Sequence, residues 1–171
     1  MTAQQNLFKK YPNPVFVETG TYQGDGVQMA LDAGFKTIYS IELIPEYYAY
    51  PVERFKGVEN VHLILGDSHL VLDELLSKIN EPITFWLDGH LGGGVCWLAK
   101  YDSPLVQELE AIGRHHIKTH TILIDDLRDW HIETRGFDTE VLKRKILEIN
   151  PDYVFTFEDG HVPNDILVAK I

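Results

Sequence analysis

The chain has 171 residues, 44% of them hydrophobic, which suits a single globular domain over 1–171 with one sizeable core. A formal net charge of −11 argues against a general affinity for nucleic-acid backbones or anionic membrane surfaces, both of which reward clustered Lys and Arg. The single cysteine, Cys96, excludes an internal disulfide; the start MTAQQNLFKK lacks a signal peptide's apolar core, and no apolar run approaches the ~20 residues of a membrane helix, so the expectation is a cytoplasmic protein.

Strand-like and helix-like segments alternate along the chain. Val15–Glu18 is a short apolar run ending in an acid; a turn punctuated by Gly20, Gly24 and Gly26 follows, and Gly24–Ala33 reads as a helix. Thr37–Glu42, Val61–Gly66, Ile83–Asp88 and Thr121–Asp125 are further strand candidates, rich in β-branched residues and apolar on both faces, as buried parallel strands are. Helices are predicted between them at Pro45–Phe55, Ser68–Ile79 and Ser103–Arg114, with Pro45 and Pro104 in first turns and Ser68 and Ser103 as N-caps. The one long irregular stretch, Gly89–Asp102, has the length of a lid or substrate loop; Gly92, Gly93 and Gly94 loosen one end, and Trp97 and Tyr101 give it something to bury. Thr139–Ile149 reads as a fifth helix. Tyr153–Phe157 and Ile166–Lys170 are strand-like, and the turn-rich EDGHVPND between them leaves no room for a crossover helix, so they should pair antiparallel. The expected fold is α/β: a doubly wound, mostly parallel, Rossmann-like sheet ending in an antiparallel hairpin.

Each strand ends in polar groups: Glu18, Glu42, Gly66-Asp67-Ser68, Asp88 and Asp125-Asp126. Ligands of open α/β sheets bind at strand ends, and strand, acid, glycine-rich turn and helix is how such a sheet builds a nucleotide-cofactor pocket. A carboxylate such as Glu42 can accept both hydroxyls of a ribose. Dinucleotide enzymes use an acid in the same way, but their Gly-x-Gly-x-x-Gly spacing does not fit Gly20-Thr21-Tyr22-Gln23-Gly24. Adjacent parallel strands would bring Asp88, Asp125 and Asp126 together, and three converging carboxylates repel unless a hard divalent ion such as Mg2+ joins them.

These strings resemble the class I S-adenosylmethionine (SAM) dependent methyltransferases over nearly the whole chain, and within them the metal-dependent small-molecule O-methyltransferases of the macrocin type. The resemblance rests on Glu18-Thr19-Gly20 with Gly24, on Leu87-Asp88-Gly89 and on Ile124-Asp125-Asp126. It implies seven strands with an antiparallel last strand, and SAM as the cofactor. The chain departs from the family pattern at Tyr22, where the general motif has glycine, in lacking a long N-terminal helical extension, and in the glycine-rich loop after Asp88.

On this reading Glu18, Gly20, Thr21, Tyr22, Gly24, Glu42, Asp67, Ser68 and Asp88 bind the cofactor. Gly20 and Gly24 let the backbone approach the methionine part, Glu18 receives its amino group through water, and Asp67 and Ser68 serve the adenine. The plainer alternatives are a packed turn for the glycines, a solvated loop acid for Glu42 and a helix N-cap for Ser68. Asp88, Asp125 and Asp126 are the candidate metal ligands; otherwise Asp125 and Asp126 cap the next loop and Asp88 touches only SAM. Asp88 and His90 are the candidate catalytic pair, with His90 a base or a surface loop histidine. Arg128, Trp130 and His131 line the acceptor pocket or are ordinary loop packing. His115, His116 and His120 read as structural, His62 as a core or face residue, His161 as a turn residue and Cys96 as a bystander.

Two function classes follow. One is a methyltransferase, acting on the hydroxyl of a small molecule with Mg2+ assistance. The other is a SAM-binding sensor or partner-binding module without transfer; the glycine spacing disfavours a further enzyme reading, an NAD-dependent oxidoreductase. A small-molecule acceptor is the expected partner, with neither nucleic acid nor membrane, and a homo-oligomer stays open.

Overall fold

The structure is a computed structural model that describes residues 6–89, 103–129 and 138–171. Seven strands form one sheet: β1 (Val15–Thr19), β2 (Thr37–Glu42), β3 (Val61–Leu65), β4 (Ile83–Leu87), β5 (Thr121–Ile124), β6 (Val154–Glu158) and β7 (Ile166–Lys170). Their spatial order is β3-β2-β1-β4-β5-β7-β6. Strands β1 to β5 pair parallel, and β7 runs antiparallel to both β5 and β6. The expected sheet and hairpin are therefore present, with boundaries within two residues of those read from sequence. The chain winds outward from β1 through β2 and β3, then returns to β4 on the other side of β1. The β1–β4 junction is thus the switch point where an open α/β sheet leaves a crevice.

Among the described residues the strands are connected by α1 (Asp25–Ala33), α2 (Pro45–Arg54), α3 (Ser68–Leu76), α4 (Leu105–Arg114) and α5 (Thr139–Ile149). Pro45 opens α2 as expected, but Pro104 is the N-cap of α4 rather than a first-turn residue, and Ser103 Oγ accepts from Leu105 N at 3.3 Å. Ser68 is not a cap either. Asp67 caps α3, its side chain accepting from His69 N, and Ser68 is the first helical residue.

Alternate residues of each strand feed two cores, as the period-two geometry of a strand requires. On one face Val15, Val17, Phe85, Leu87, Ile122 and Ile124 pack with Leu72 and Leu76 of α3, Leu109 and Ile112 of α4, and Leu142 and Ile146 of α5. On the other face Phe16, Ile38, Trp86, Leu123 and Val168 pack with Val27 and Ala30 of α1. Phe8, in a 3-10 turn over Phe8–Lys10, completes that second core, with its ring 4.8 Å from Phe16 and 5.2 Å from Trp86. Lys10 and Tyr11 then hold Glu158 of β6, at 2.7 and 2.6 Å. Strand β3 departs from the expectation of full burial: it is an edge strand, and His62 on it is exposed and stacked on Tyr39 at 4.9 Å. Among the described residues no helix is long and apolar enough to cross a membrane.

Candidate active site

All the strand-end acids come to one edge of the sheet, and the hydrogen-bond ladder continues past the strands to fix their loops. Gly20 N donates to Ile41 O (2.9 Å), Asp88 N to Thr19 O (3.1 Å), Gly66 N to Glu42 O (2.8 Å) and Asp125 N to Leu87 O (3.2 Å). The loops after β1, β2, β3, β4 and β5 are thereby locked side by side.

The glycines of the first turn have a packing reason besides any ligand. Gly20 sits at φ +86°, and a Cβ there would stand 2.5 Å from the carbonyl oxygen of Asp88. The β1 turn therefore packs directly on the loop after β4. A Cβ on Gly26 would strike Glu18 Oε1, because the Glu18 carboxylate lies against the start of α1. At Gly24 the obstacle would be the Phe55 ring.

Glu18 is only 2% exposed. Its Oε2 accepts from Ser40 Oγ at 2.5 Å, and Ser40 Oγ lies 2.6 Å from Thr21 Oγ1. Burial pushes its carboxyl up to about 8; the Ser40 hydrogen bond opposes this, and the charges of Glu42 and Asp25 add to it. Thr21 is thus part of the support under Glu18. Glu42, also buried, uses both carboxylate oxygens on backbone: Oε2 accepts from Tyr22 N and Oε1 from Ile44 N, each at 2.8 Å. A carboxylate offers about four lone-pair positions, so two backbone partners leave capacity for ligand hydroxyls. Asp67 stands at the end of β3 as α3's cap. The hydroxyl of Ser68 turns away into the protein, donating to Glu108 Oε1 at 2.5 Å; its backbone N–H is the other group expected to serve an adenine nitrogen.

Glu108 was not among the residues singled out from sequence. It lies on α4 among Leu105, Leu109 and Ile112, and a carboxylate on that apolar stripe was the available signal. Burial pushes it up to about 7, against the hydrogen bond from Ser68. A Cβ on Gly89 would lie 3.1 Å from Thr19 Oγ1 and 3.3 Å from Glu108 Oε1. Glu108 therefore underlies the junction of the loops after β1, β3 and β4.

Asp88, Asp125 and Asp126 do converge: one ligand atom from each lies within 4.8 Å of the others. Burial pushes Asp88 up to about 9, helped by the charges of Asp125, Asp126 and Glu18 and opposed by Arg128. Asp125 rises to about 6 through burial and the charge of Asp126. Asp126 holds the left-handed region at φ +58°, which brings its N–H back to Asp125 Oδ1 at 2.8 Å. Hard oxygen donors this close together, with Asp88 and Asp125 raised above the ordinary carboxylate range, are a donor set that a divalent cation satisfies, so the residues fit such an ion.

Arg128 differs from its expected role. Its guanidinium reaches Asp126 Oδ1 at 2.5 Å and also pairs with the buried Asp165, so it is a counter-ion to two carboxylates rather than a group presented to an acceptor. Asp165 also accepts from Arg128 N and His161 N, both at 3.2 Å, which stitches the β6–β7 loop to the end of β5. His90, Trp130 and His131 lie outside the described residues, as do Cys96 and all but the first residue of the Gly89–Asp102 loop.

The seven strands and the reversed β7 are those that the resemblance implied. Neither a family model nor any curated protein matches the sequence. Solved structures match over nearly the whole chain. The O-methyltransferase TomG of Streptomyces achromogenes, solved with SAM, is 12% identical with a TM-score of 0.66, covering 98% of this chain and 77% of its own. A methyltransferase of Podospora anserina bound to S-adenosylhomocysteine (SAH) is 14% identical with a TM-score of 0.65, over 97% of this chain and 75% of its own. An O-methyltransferase of Bacillus cereus, in complex with SAH, is 13% identical at a TM-score of 0.62, covering 98% and 78%. At such identity the likeness establishes the fold.

Proposed function

We infer that the protein is a SAM-dependent methyltransferase whose acceptor is a small hydroxylated molecule, with a divalent cation held by Asp88, Asp125 and Asp126. The observation that carries the cofactor reading is the pair of buried acids, Glu18 and Glu42, ending the adjacent strands β1 and β2 on either side of the Gly20 turn. Glu18 ends the strand at the switch point and Glu42 its neighbour one strand outward, in the fold of proteins solved with SAM and SAH. Glu42 receives the ribose hydroxyls, and Asp67 faces the adenine side. In the transfer the acceptor oxygen attacks the methyl carbon, the carbon–sulfur bond breaks with its electron pair on sulfur, and SAH leaves as a neutral thioether. The acceptor gives up its hydroxyl proton. Asp88 takes it only in its ionised form, which burial opposes in the ligand-free chain and a cation in the cluster would favour. A cation in the aspartate cluster would supply acidification and alignment of a bound hydroxyl.

A second reading, a SAM-binding module without transfer, draws on Arg128, which already neutralises part of the cluster. Calorimetric titration with SAM and SAH, each with and without Mg2+, tests both. Binding of both ligands, strengthened by Mg2+, is the expected result. Glu42→Gln should weaken SAH binding about tenfold, the loss of roughly one good charged hydrogen bond. Unchanged affinity in a folded variant would remove Glu42 from the cofactor site. Binding without any Mg2+ effect would favour the second reading, and no binding would overturn both.

A further inference from the structure

Tyr22 occupies a backbone conformation that favours glycine. Its φ is +45°, and it is the middle residue of the Gly20–Gly24 turn. A bulky aromatic there costs free energy, and residues held in this way cluster at ligand clamps. Its ring is not buried in recompense. Tyr22 is 56% exposed, and its aromatic partner is Tyr47, itself 46% exposed, with ring centroids 5.1 Å apart at 87°.

Both tyrosines hang on one carboxylate. Tyr22 N donates to Glu42 Oε2, Ile44 N donates to Oε1, and Tyr47 follows Ile44 by one turn, its N bonded to Ile44 O at 3.0 Å. Glu42 thus ties the loop after β1 to the start of α2 and fixes the aromatic pair beside itself. A nucleoside whose ribose is bound by Glu42 lies within a tyrosine side chain's reach of both rings.

We propose that Tyr22 and Tyr47 form an aromatic clamp that closes on the nucleoside half of the bound cofactor, so that the strained backbone of Tyr22 serves binding at the expense of stability. The inference rests on the cofactor reading above and deepens it. Two measurements with opposite expected signs test it, using Tyr22→Gly, Tyr22→Phe and Tyr22→Asn in the full chain. Glycine relieves the left-handed strain, so Y22G should melt no lower than wild type. It should bind SAH about tenfold more weakly, within the range that removal of an aromatic stacking partner brings. Adenosine should lose the same factor, which places the contact on the nucleoside. Y22F, which keeps the ring, should retain affinity; Y22N, which tolerates the backbone but lacks the ring, should lose it. If wild type binds SAH and adenosine and all three variants bind them equally well, the clamp alone is overturned. A lowered melting temperature in Y22G with unchanged affinity also overturns it, because Tyr22 is then a packing residue. If wild type binds neither probe, the clamp falls together with the cofactor reading.

Discussion

At the scale of single residues, the site is built by close approaches that the sequence marks only as glycine. Gly20 reads as a position kept small for a ligand. The structure adds an internal reason, since a Cβ would meet the backbone of Asp88 at 2.5 Å and φ is +86°. Gly20→Ala should therefore destabilise the fold by about 2–4 kcal/mol, combining the left-handed penalty with a clash against backbone that cannot rotate away. Urea denaturation checks this, and a loss below about 0.5 kcal/mol would mean that the β1 and β4 loops are free to separate. The acids themselves were legible, because strand ends are where such sheets place polar groups. Their partners were not. Asp165, which shares Arg128 with Asp126, is far along the chain on the β6–β7 loop, and periodicity carries no record of that pairing. Ser68 was open to the reading of a helix cap or an adenine contact, and the buried Glu108 beneath it decides its hydroxyl.

At the scale of elements, the buried parallel strands were the most legible part. Residues apolar on both faces admit few other settings, and β2 and β7 have the bounds expected of them. Edge strands obey the rule less well, and half-exposed β3 is where it failed. The other feature hidden from sequence is the polar joint beneath β4 and β5, at the end opposite the acids. His115 Nε2 lies 3.0 Å from Ile79 O, His115 Nδ1 lies 2.8 Å from His120 Nε2, and His120 Nδ1 accepts from Ile83 N at 3.1 Å. One tautomer set satisfies this chain: each Nε2 carries a hydrogen and each Nδ1 accepts. The His120 ring is then neutral, and burial lowers it from 6.5 to about 4. A histidine with a depressed folded pKa contributes stability above its unfolded pKa, and that contribution is lost as pH falls from 6.5 to about 4. His120→Gln should be less stable than wild type at neutral pH by about 1–3 kcal/mol, the cost of disturbing a buried bonded chain. The gap should narrow over that acid window, because only wild type carries the titrating ring. A gap that stays constant with pH would show that His120 titrates alike in both states.

For the whole molecule, the sign of the pH dependence above neutrality is set by the site. Glu18 holds its proton up to about 8 and Glu108 up to about 7 in the folded chain, against 4.5 for the ordinary carboxyl. Asp88, raised to about 9, acts in the same direction. A raised acid contributes stability that is fully present below its unfolded pKa and is lost as pH rises through its folded pKa. Below 6.5 the His120 contribution opposes this trend, but above 6.5 it is constant, so only the acids act. The ligand-free protein should accordingly lose stability from pH 6.5 to 9, with a fall in melting temperature on the order of 5 °C. The net charge of −11 pushes the same way through self-repulsion, but added salt screens that part and leaves the buried part. Glu18→Gln separates the two. The amide keeps an acceptor for Ser40 Oγ without a charge to bury, so the variant should gain on wild type as pH rises through about 8 and gain nothing in acid. Millimolar Mg2+ should flatten the remaining slope, by favouring ionised Asp88 in the folded state. A melting temperature that climbs steadily from pH 6.5 to 9 in Mg2+-free buffer would mean that these carboxyls are ionised at little cost, and that the strand-end crevice is far wetter than its burial implies.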